Sequence, residues 1–163
     1  MEAADIVHAD GQFIVKASRR FPPDKHIADR SVTTDVIHDF AAAAARTGVT
    51  FFLLGGPDGV ARAAGTALER LYPGLRVVGT RHGYFAPEHE ASIVGEINES
   101  GADVVWVGLG KPKEHIFCAR NKDRFTARWV ITCGGCFHYL TGDYGRAPMW
   151  MRDAGLEWLY RMF

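Results

Sequence analysis

The sequence has no excess charge of either sign, no long apolar run and few cysteines. Nineteen Lys and Arg residues balance nineteen Asp and Glu residues among 163, so no overall field attracts nucleic acid. No apolar run approaches the roughly 20 residues that a membrane-spanning helix needs, and the first residues lack the basic stretch of a signal peptide. Three cysteines, an odd number, argue against a secreted disulfide scaffold. We therefore expect a cytoplasmic protein with no nucleic-acid partner.

Short apolar runs alternate with helical patterns along the chain. Five runs precede a turn signal and are typical of strands: residues 6–9, 49–54, 75–78, 104–107 and 129–132. The patterns between them predict helices from Thr33 or Thr34 to Gly48, from an Asp58 cap to Pro73, from Pro87 to Asn98, and after Pro112. Strands and helices that alternate in this way form βαβ units. The sequence predicts an α/β fold with a Rossmann-like, mainly parallel sheet flanked by helices, in a single domain over residues 1–163.

The most informative segment follows the apolar run at residues 104–107. The run stops at Gly108, a second glycine follows at Gly110, and Lys113 and Glu114 come directly after a proline. This pattern indicates a buried strand, a glycine turn and the start of a helix. Because ligands of open α/β sheets bind at the carboxyl ends of strands, Gly110, Lys113 and Glu114 are candidate site residues.

Two other turns are candidates for substrate contacts. Gly55 and Gly56 join a buried strand to a helix, where backbone N–H groups can approach a phosphate, although a plain tight turn explains them equally well. No acidic residue ends the next strand, so a dinucleotide is not expected. Asp10 follows a short apolar run, and a carboxylate there can accept a proton from a hydroxyl group. Taken alone, Asp10 is more typical of a turn.

Cys133 and Cys136 have the C-x-x-C spacing of redox and zinc sites, with His138 nearby. A redox pair favours a helix start directly after the first cysteine, whereas two glycines follow here. A zinc site needs a fourth ligand, which only Cys118 or His115 offers. The interpretation we prefer is therefore a pair of buried, structural thiols and no metal.

The final residues, 145–163, are dense in aromatic side chains and methionine. Aromatic residues such as Trp150 and Trp158 are interleaved with Arg146, Arg152 and Arg161. This composition suits a membrane interface, and it also suits a helix docked on the sheet. We expect an aromatic and arginine-rich C-terminal helix over this segment.

Taken together, these residues resemble the WecG/TagA/CpsF family of bacterial glycosyltransferases. The motifs run in family order over nearly the whole chain, and the ending, Arg146-Ala-Pro148 with Gly155-Leu-Glu-Trp-Leu-Tyr-Arg161, is the most specific. The other matching motifs are Ala9-Asp10-Gly11, Arg30 with Asp35, Phe52-Leu-Leu-Gly-Gly56, Tyr72-Pro73, Gly83-Tyr84-Phe85, Ile97-Asn98, Asp103, Gly108-Leu-Gly-x-Pro-Lys113, Gly134-Gly-x-Phe137 and Gly142.

The resemblance implies an inverting, metal-independent transfer of a sugar from a UDP donor to a polyprenyl-diphosphate-linked acceptor, with no cofactor. Family donors carry N-acetylmannosamine, its uronate, glucose or galactose, and the products feed teichoic acid and surface polysaccharide synthesis. The resemblance implies that Asp10 is the general base and that Arg30 meets the donor diphosphate. It also implies a peripheral position at the inner face of the plasma membrane. The remaining candidate substrate-binding residues are Gly55, Gly56, Gly110, Lys113 and Arg146.

The chain departs from the family pattern at three residues. A proposed active-site Gln is Glu114 here, which makes Glu114 the second candidate catalytic residue. His138 stands where the family has Asp, and Thr33 stands where it has Gly. We also expect that the family's N-terminal segment and its C-terminal tail are absent. The alternative function is therefore that of a catalytically weakened remnant of the family that binds a nucleotide sugar or acts as a scaffold. The sequence does not determine the sugar, the acceptor or the oligomeric state, and a homo-oligomer is one possibility.

Overall fold

A computed structural model describes residues 4–145, 147, 148, 150, 151 and 159. The chain divides into two compact units. We call Ile37–Tyr144 the sheet unit, and we call Met1–Val36 with Gly145–Phe163 the terminal unit. Most of the helix expected at residues 145–163, together with Arg146, lies outside the described residues. The expectation of a single domain stays a prediction.

The sheet unit contains a four-stranded, wholly parallel sheet in the order β2-β1-β3-β4. The strands are β1 (Thr50–Gly55), β2 (Arg76–Arg81), β3 (Val104–Gly108) and β4 (Trp129–Thr132). Four of the five predicted strands are therefore confirmed. The predicted α/β fold with a Rossmann-like parallel sheet is confirmed as well.

Six α-helices lie wholly within the described residues. They are α1 (Gln12–Ser18), α2 (Thr33–Thr47), α3 (Val60–Leu71), α4 (Glu90–Glu99), α5 (Lys113–Asn121) and α6 (Cys136–Thr141). Single 3₁₀ turns occur at Pro23–Lys25, Pro87–His89 and Lys122–Arg124. The apolar periodicity of α2, α3 and α4 predicted these helices, whereas α1 and α6 are too short to show a clear period.

Helices cover both faces of the sheet because successive side chains of a strand point to opposite sides. On one face, Phe40 of α2 packs edge-on against Trp106, with ring centroids 5.6 Å apart. The same face carries α3, and α6 packs against α3. The other face is covered by α4 and α5, whose apolar residues pack on the strands in one cluster: Phe52, Leu54, Ile93, Val94, Ile97, Ala102, Val105, Val107 and Phe117.

The strand order determines where a ligand site is expected. The chain moves from β1 outward to β2, then returns across β1 to β3 and continues outward to β4. The direction therefore reverses between β1 and β3, and the crevice outside the carboxyl ends of strands at such a reversal is the usual ligand site of open α/β sheets. We call the edge at which all four strands end the carboxyl edge.

Two local predictions are wrong. Residues 6–9 form no strand in the described terminal unit: Ile6 and Val7 are 65% and 60% exposed, so this apolar run has no sheet to bury it. Asp58 does not cap α3, because the N-cap is Gly59, whose left-handed φ of 84° moves the helix start one residue on. Short apolar runs and single capping residues are decided by surroundings that the local sequence does not contain.

Candidate functional site

The turns after β1 and β3 touch at the carboxyl edge. A Cβ atom on Gly55, where φ is +152°, would lie 2.2 Å from the carbonyl oxygen of Gly108, so no other residue fits there. The N–H of Gly56 donates to that same carbonyl at 3.2 Å. The carbonyl of Gly56 in turn accepts the N–H of Gly83, in the loop that follows β2, at 2.8 Å. The predicted glycine turns therefore meet at the switch point of the sheet.

The turn between β3 and α5 has the predicted form. Gly110 adopts a left-handed φ of +75°, the Lys111–Pro112 peptide bond is cis, and Pro112 is the N-cap of α5. The N–H of Glu114 donates to the carbonyl of Gly110 at 2.9 Å, which begins the helix. This turn directs the N-terminus of α5, with its partial positive charge, toward the carboxyl edge.

Lys113 connects the loops after β2 and β3. Its Nζ atom donates to the carbonyl of Gly83 at 2.8 Å and lies 4.5 Å from the centre of the Phe85 ring. Lys113 is exposed, and the ring beneath it adds a cation–π attraction. The side chain is therefore held at the carboxyl edge, where its positive charge is accessible to an anionic ligand.

Glu114 is buried, with 1% of its surface exposed. Its Oε2 atom accepts the N–H of Gly110 at 3.2 Å and the N–H of Gly134, in the turn after β4, at 3.0 Å. Its Oε1 atom is buried and has no hydrogen-bond partner among the described residues. Glu114 thus joins the glycine turns of two neighbouring strands.

Two of the three cysteines are shielded from solvent. Cys133 and Cys136 are buried, and α6 begins at Cys136 rather than directly after Cys133. Burial, followed by the nearby Cys136 and Glu114, raises the pKa of the Cys133 thiol well above its usual value. Burial also raises the pKa of Cys118 to about 12. Because the reactive form is the thiolate, these surroundings favour structural thiols over a redox pair.

A cluster that the sequence reasoning missed lies beside the turn after β4. The Nδ1 atom of His138 is 3.2 Å from Oδ2 of Asp143, and the His138 ring stacks on Tyr144 with centroids 4.7 Å apart. Hydrogen bonds from Thr141 and then from His138 lower the pKa of Asp143. No local sequence pattern predicts this cluster. The left-handed turn at Gly142, after α6 ends, brings Asp143 and Tyr144 back to His138.

Asp10 and Arg30 lie in the terminal unit. The Oδ1 atom of Asp10 accepts the N–H of Thr33, the first residue of α2, at 3.3 Å, and Asp10 is otherwise exposed. Arg30 is half-buried, and its backbone N–H donates to Oδ1 of Asp29 at 2.7 Å. The roles expected for these residues stay predictions, as do those of the residues at the carboxyl edge.

No group of three or more His, Cys, Asp or Glu side chains in the described part of the chain is placed to hold a metal ion. Among the helices of the described residues, none is both long and apolar enough to cross a membrane.

A comparison with known protein families identifies a family that the chain matches. A family model described as the glycosyl transferase WecG/TagA/CpsF family matches residues 1–163. The match covers both units and every candidate site residue, and it agrees with the resemblance seen in the sequence motifs.

Proposed function

Because this chain belongs to the WecG/TagA/CpsF family of glycosyl transferases, we propose that it transfers a sugar from a UDP donor to a polyprenyl-diphosphate-linked acceptor. The sugar is N-acetylmannosamine, its uronate or a hexose, and the transfer proceeds with inversion and without a metal. The lipid-linked acceptor requires the enzyme to work as a peripheral protein at the inner face of the plasma membrane. The product enters the synthesis of a cell-surface polysaccharide or of teichoic acid.

The observation that carries the proposal is the arrangement of the switch point. The Gly55-Gly56 turn contacts Gly108, where the turn that contains Gly110 begins, and a Cβ atom on Gly110 would meet nothing within 4 Å. The positive N-terminus of α5 and the ammonium group of Lys113 lie at the same edge. A helix N-terminus and a cation form a usual setting for a phosphate group, which supports a diphosphate there.

The reaction needs a group that accepts a proton and groups that hold the leaving diphosphate. In the proposal, the carboxylate of Asp10 accepts the proton of the acceptor hydroxyl as the hydroxyl oxygen bonds to the anomeric carbon of the sugar. The bond from that carbon to UDP breaks on the opposite face, and UDP departs with its electron pair. Arg30 pairs with the diphosphate oxygens, because a guanidinium binds them bidentately. Arg146 is a further substrate-binding residue in the proposal.

An assay of purified protein tests the proposal. We expect UDP release from a UDP-sugar only in the presence of a polyprenyl-diphosphate-linked sugar acceptor. Asp10→Asn lowers turnover about 10²- to 10⁴-fold, the usual effect of removing a general base, while UDP affinity is retained. Asp24→Asn, an exposed carboxylate of the same unit, serves as the matched control. Near-normal turnover by Asp10→Asn would contradict the assignment of the base.

The alternative function is binding of a nucleotide sugar without transfer. Glu114, in place of the family's Gln, is the observation that favours it. Calorimetry with UDP and turnover with acceptor separate the two functions: binding with no turnover supports the alternative, whereas binding with turnover supports the transferase. The retained glycine turns and the contacts of Glu114 with them favour the transferase.

A further inference from the structure

One buried side chain connects two turns of the carboxyl edge. From the contacts of Glu114 with Gly110 and Gly134, we infer that Glu114 is a positioning residue, which sets the spacing of the turns after β3 and β4 rather than transferring a proton. The inference rests on the proposed function in one respect: these turns shape the site of the UDP donor. The catalytic role that the sequence suggested for Glu114 is thereby replaced by an indirect one.

The geometry of the two turns explains why one oxygen can control both. Gly110 and Gly134 have left-handed φ values of +75° and +54°. Their N–H groups converge on the single Oε2 atom, at 3.2 Å and 3.0 Å. The turns also approach each other directly, since a Cβ atom on Gly108 would lie 2.8 Å from the carbonyl oxygen of Gly134. The shared acceptor therefore links the two backbone segments.

In these contacts Glu114 acts as a buried hydrogen-bond acceptor. Neither of its contacts is a salt bridge, and both donors are backbone N–H groups. A glutamine of the same length carries a carbonyl oxygen that accepts the same two bonds, and its NH₂ group takes the place of the unpartnered Oε1. An apolar side chain leaves both N–H groups buried without a partner, which is costly.

The effect reaches the donor site through the start of α5. Gly110 accepts the N–H of Glu114 in the first turn of this helix, and Lys113, the preceding residue, spans to the carbonyl of Gly83. A change in the position of Gly110 therefore moves the helix start and the Lys113 ammonium together. Both of these are elements that the proposed function assigns to diphosphate binding.

The experiment compares Glu114→Gln and Glu114→Met with a control in the same helix. The control is Asn121→Leu: Asn121 is 1% exposed and donates to the carbonyl of Phe117 and to Glu90. UDP affinity is measured by calorimetry, and the donor KM and kcat are measured with the lipid-linked acceptor. We expect Glu114→Met to weaken UDP binding at least about tenfold and to raise KM more than it lowers kcat. Glu114→Gln is expected to keep the UDP affinity within about threefold of that of the parent.

The control removes the ambiguity of general destabilisation. Asn121→Leu is expected to lower the unfolding temperature and to keep the parent's UDP affinity. If Glu114→Gln binds UDP as weakly as Glu114→Met does, an acceptor oxygen at this position is not sufficient and the inference is wrong. Unchanged UDP affinity in a folded Glu114→Met overturns it as well. If Glu114→Met does not fold, the affinity of Glu114→Gln relative to the parent decides between the same two outcomes.

A readout that needs no ligand separates this inference from the proposed function. Amide hydrogen exchange at Gly110 and Gly134, followed by NMR, is expected to be slow in the parent and in Glu114→Gln and faster at both positions in Glu114→Met. Protected amides in a protein that does not bind UDP would contradict the proposed function and leave the positioning role supported. Fast exchange at both amides in the parent would contradict the positioning role itself.

Discussion

The carboxylate of Asp103 accepts two hydrogen bonds from Thr50, one from its backbone N–H and one from its hydroxyl, each 3.0 Å long. The N–H of Asp103 donates back to the carbonyl of Thr50 at 3.1 Å. These bonds join the starts of β1 and β3 at the end of the sheet opposite the carboxyl edge. The bonds from Thr50, followed by the nearby Arg128, hold the pKa of Asp103 below its usual value of 3.8.

This pKa shift predicts how acid affects stability. A carboxyl group whose pKa is lower in the folded than in the unfolded protein stabilises the fold above its unfolded pKa, and the stabilisation is lost as the pH falls through the folded pKa. We expect Asp103→Asn to be less stable than the parent at pH 7 and the difference to shrink below about pH 4. Chemical denaturation at a series of pH values measures it, and a difference that is constant with pH contradicts this explanation.

Gly55→Ala is expected to destabilise the protein by about 3 kcal/mol or more, because the new Cβ collides with the carbonyl of Gly108 at a φ that favours glycine. Gly95→Ala in α4 is the matched control. No atom lies within 4 Å of its Cβ position, so the substitution should stabilise the helix by about 0.5–1 kcal/mol. Denaturant unfolding of both variants measures the difference. Equal stabilities would show that β1 and β3 do not approach each other as described.

The burial of Cys133 and Cys136 predicts that alkylating reagents modify them slowly in the native protein. The raised pKa of Cys133 leaves little thiolate at pH 8, and the thiolate is the form that reacts. Unfolding in guanidinium should expose all three thiols to rapid modification, which mass spectrometry counts. The double variant Cys133→Ala/Cys136→Ala is expected to keep transferase activity. Stoichiometric zinc that is lost in this variant would overturn the structural interpretation.

Arg30→Lys is expected to weaken UDP binding about tenfold, since an ammonium group cannot reproduce the bidentate contact of a guanidinium with a diphosphate. Arg20→Lys, an exposed change in the same unit, is the control and should bind UDP as the parent does. Calorimetry with UDP measures both variants. If even Arg30→Ala binds UDP with the parent's affinity, Arg30 does not hold the diphosphate.

The sequence pattern was sufficient to predict the helices and strands that are long or fully buried. The continuous apolar run of Val104–Val107 predicted β3, and the periodic positions Ile93, Val94 and Ile97 predicted the buried face of α4. These signals are reliable because burial of a whole strand or helix face requires apolar residues at regular spacing. The run at residues 6–9 carried the same local signal without a sheet to join, and the prediction there was wrong.

The site shows the same division between local pattern and tertiary contact. The sequence by itself determined that glycine turns follow β1 and β3, that Pro112 opens a helix and that a charged pair begins it, because these depend on backbone conformations that few residues adopt. Only the tertiary structure decided what Glu114 touches. Gly134 lies twenty residues further along the chain, and it reaches Glu114 because β4 pairs with β3. Contacts between distant segments follow from the strand order. The strand order depends on how the helices and strands of the whole sheet pack together, which no local segment of the sequence contains.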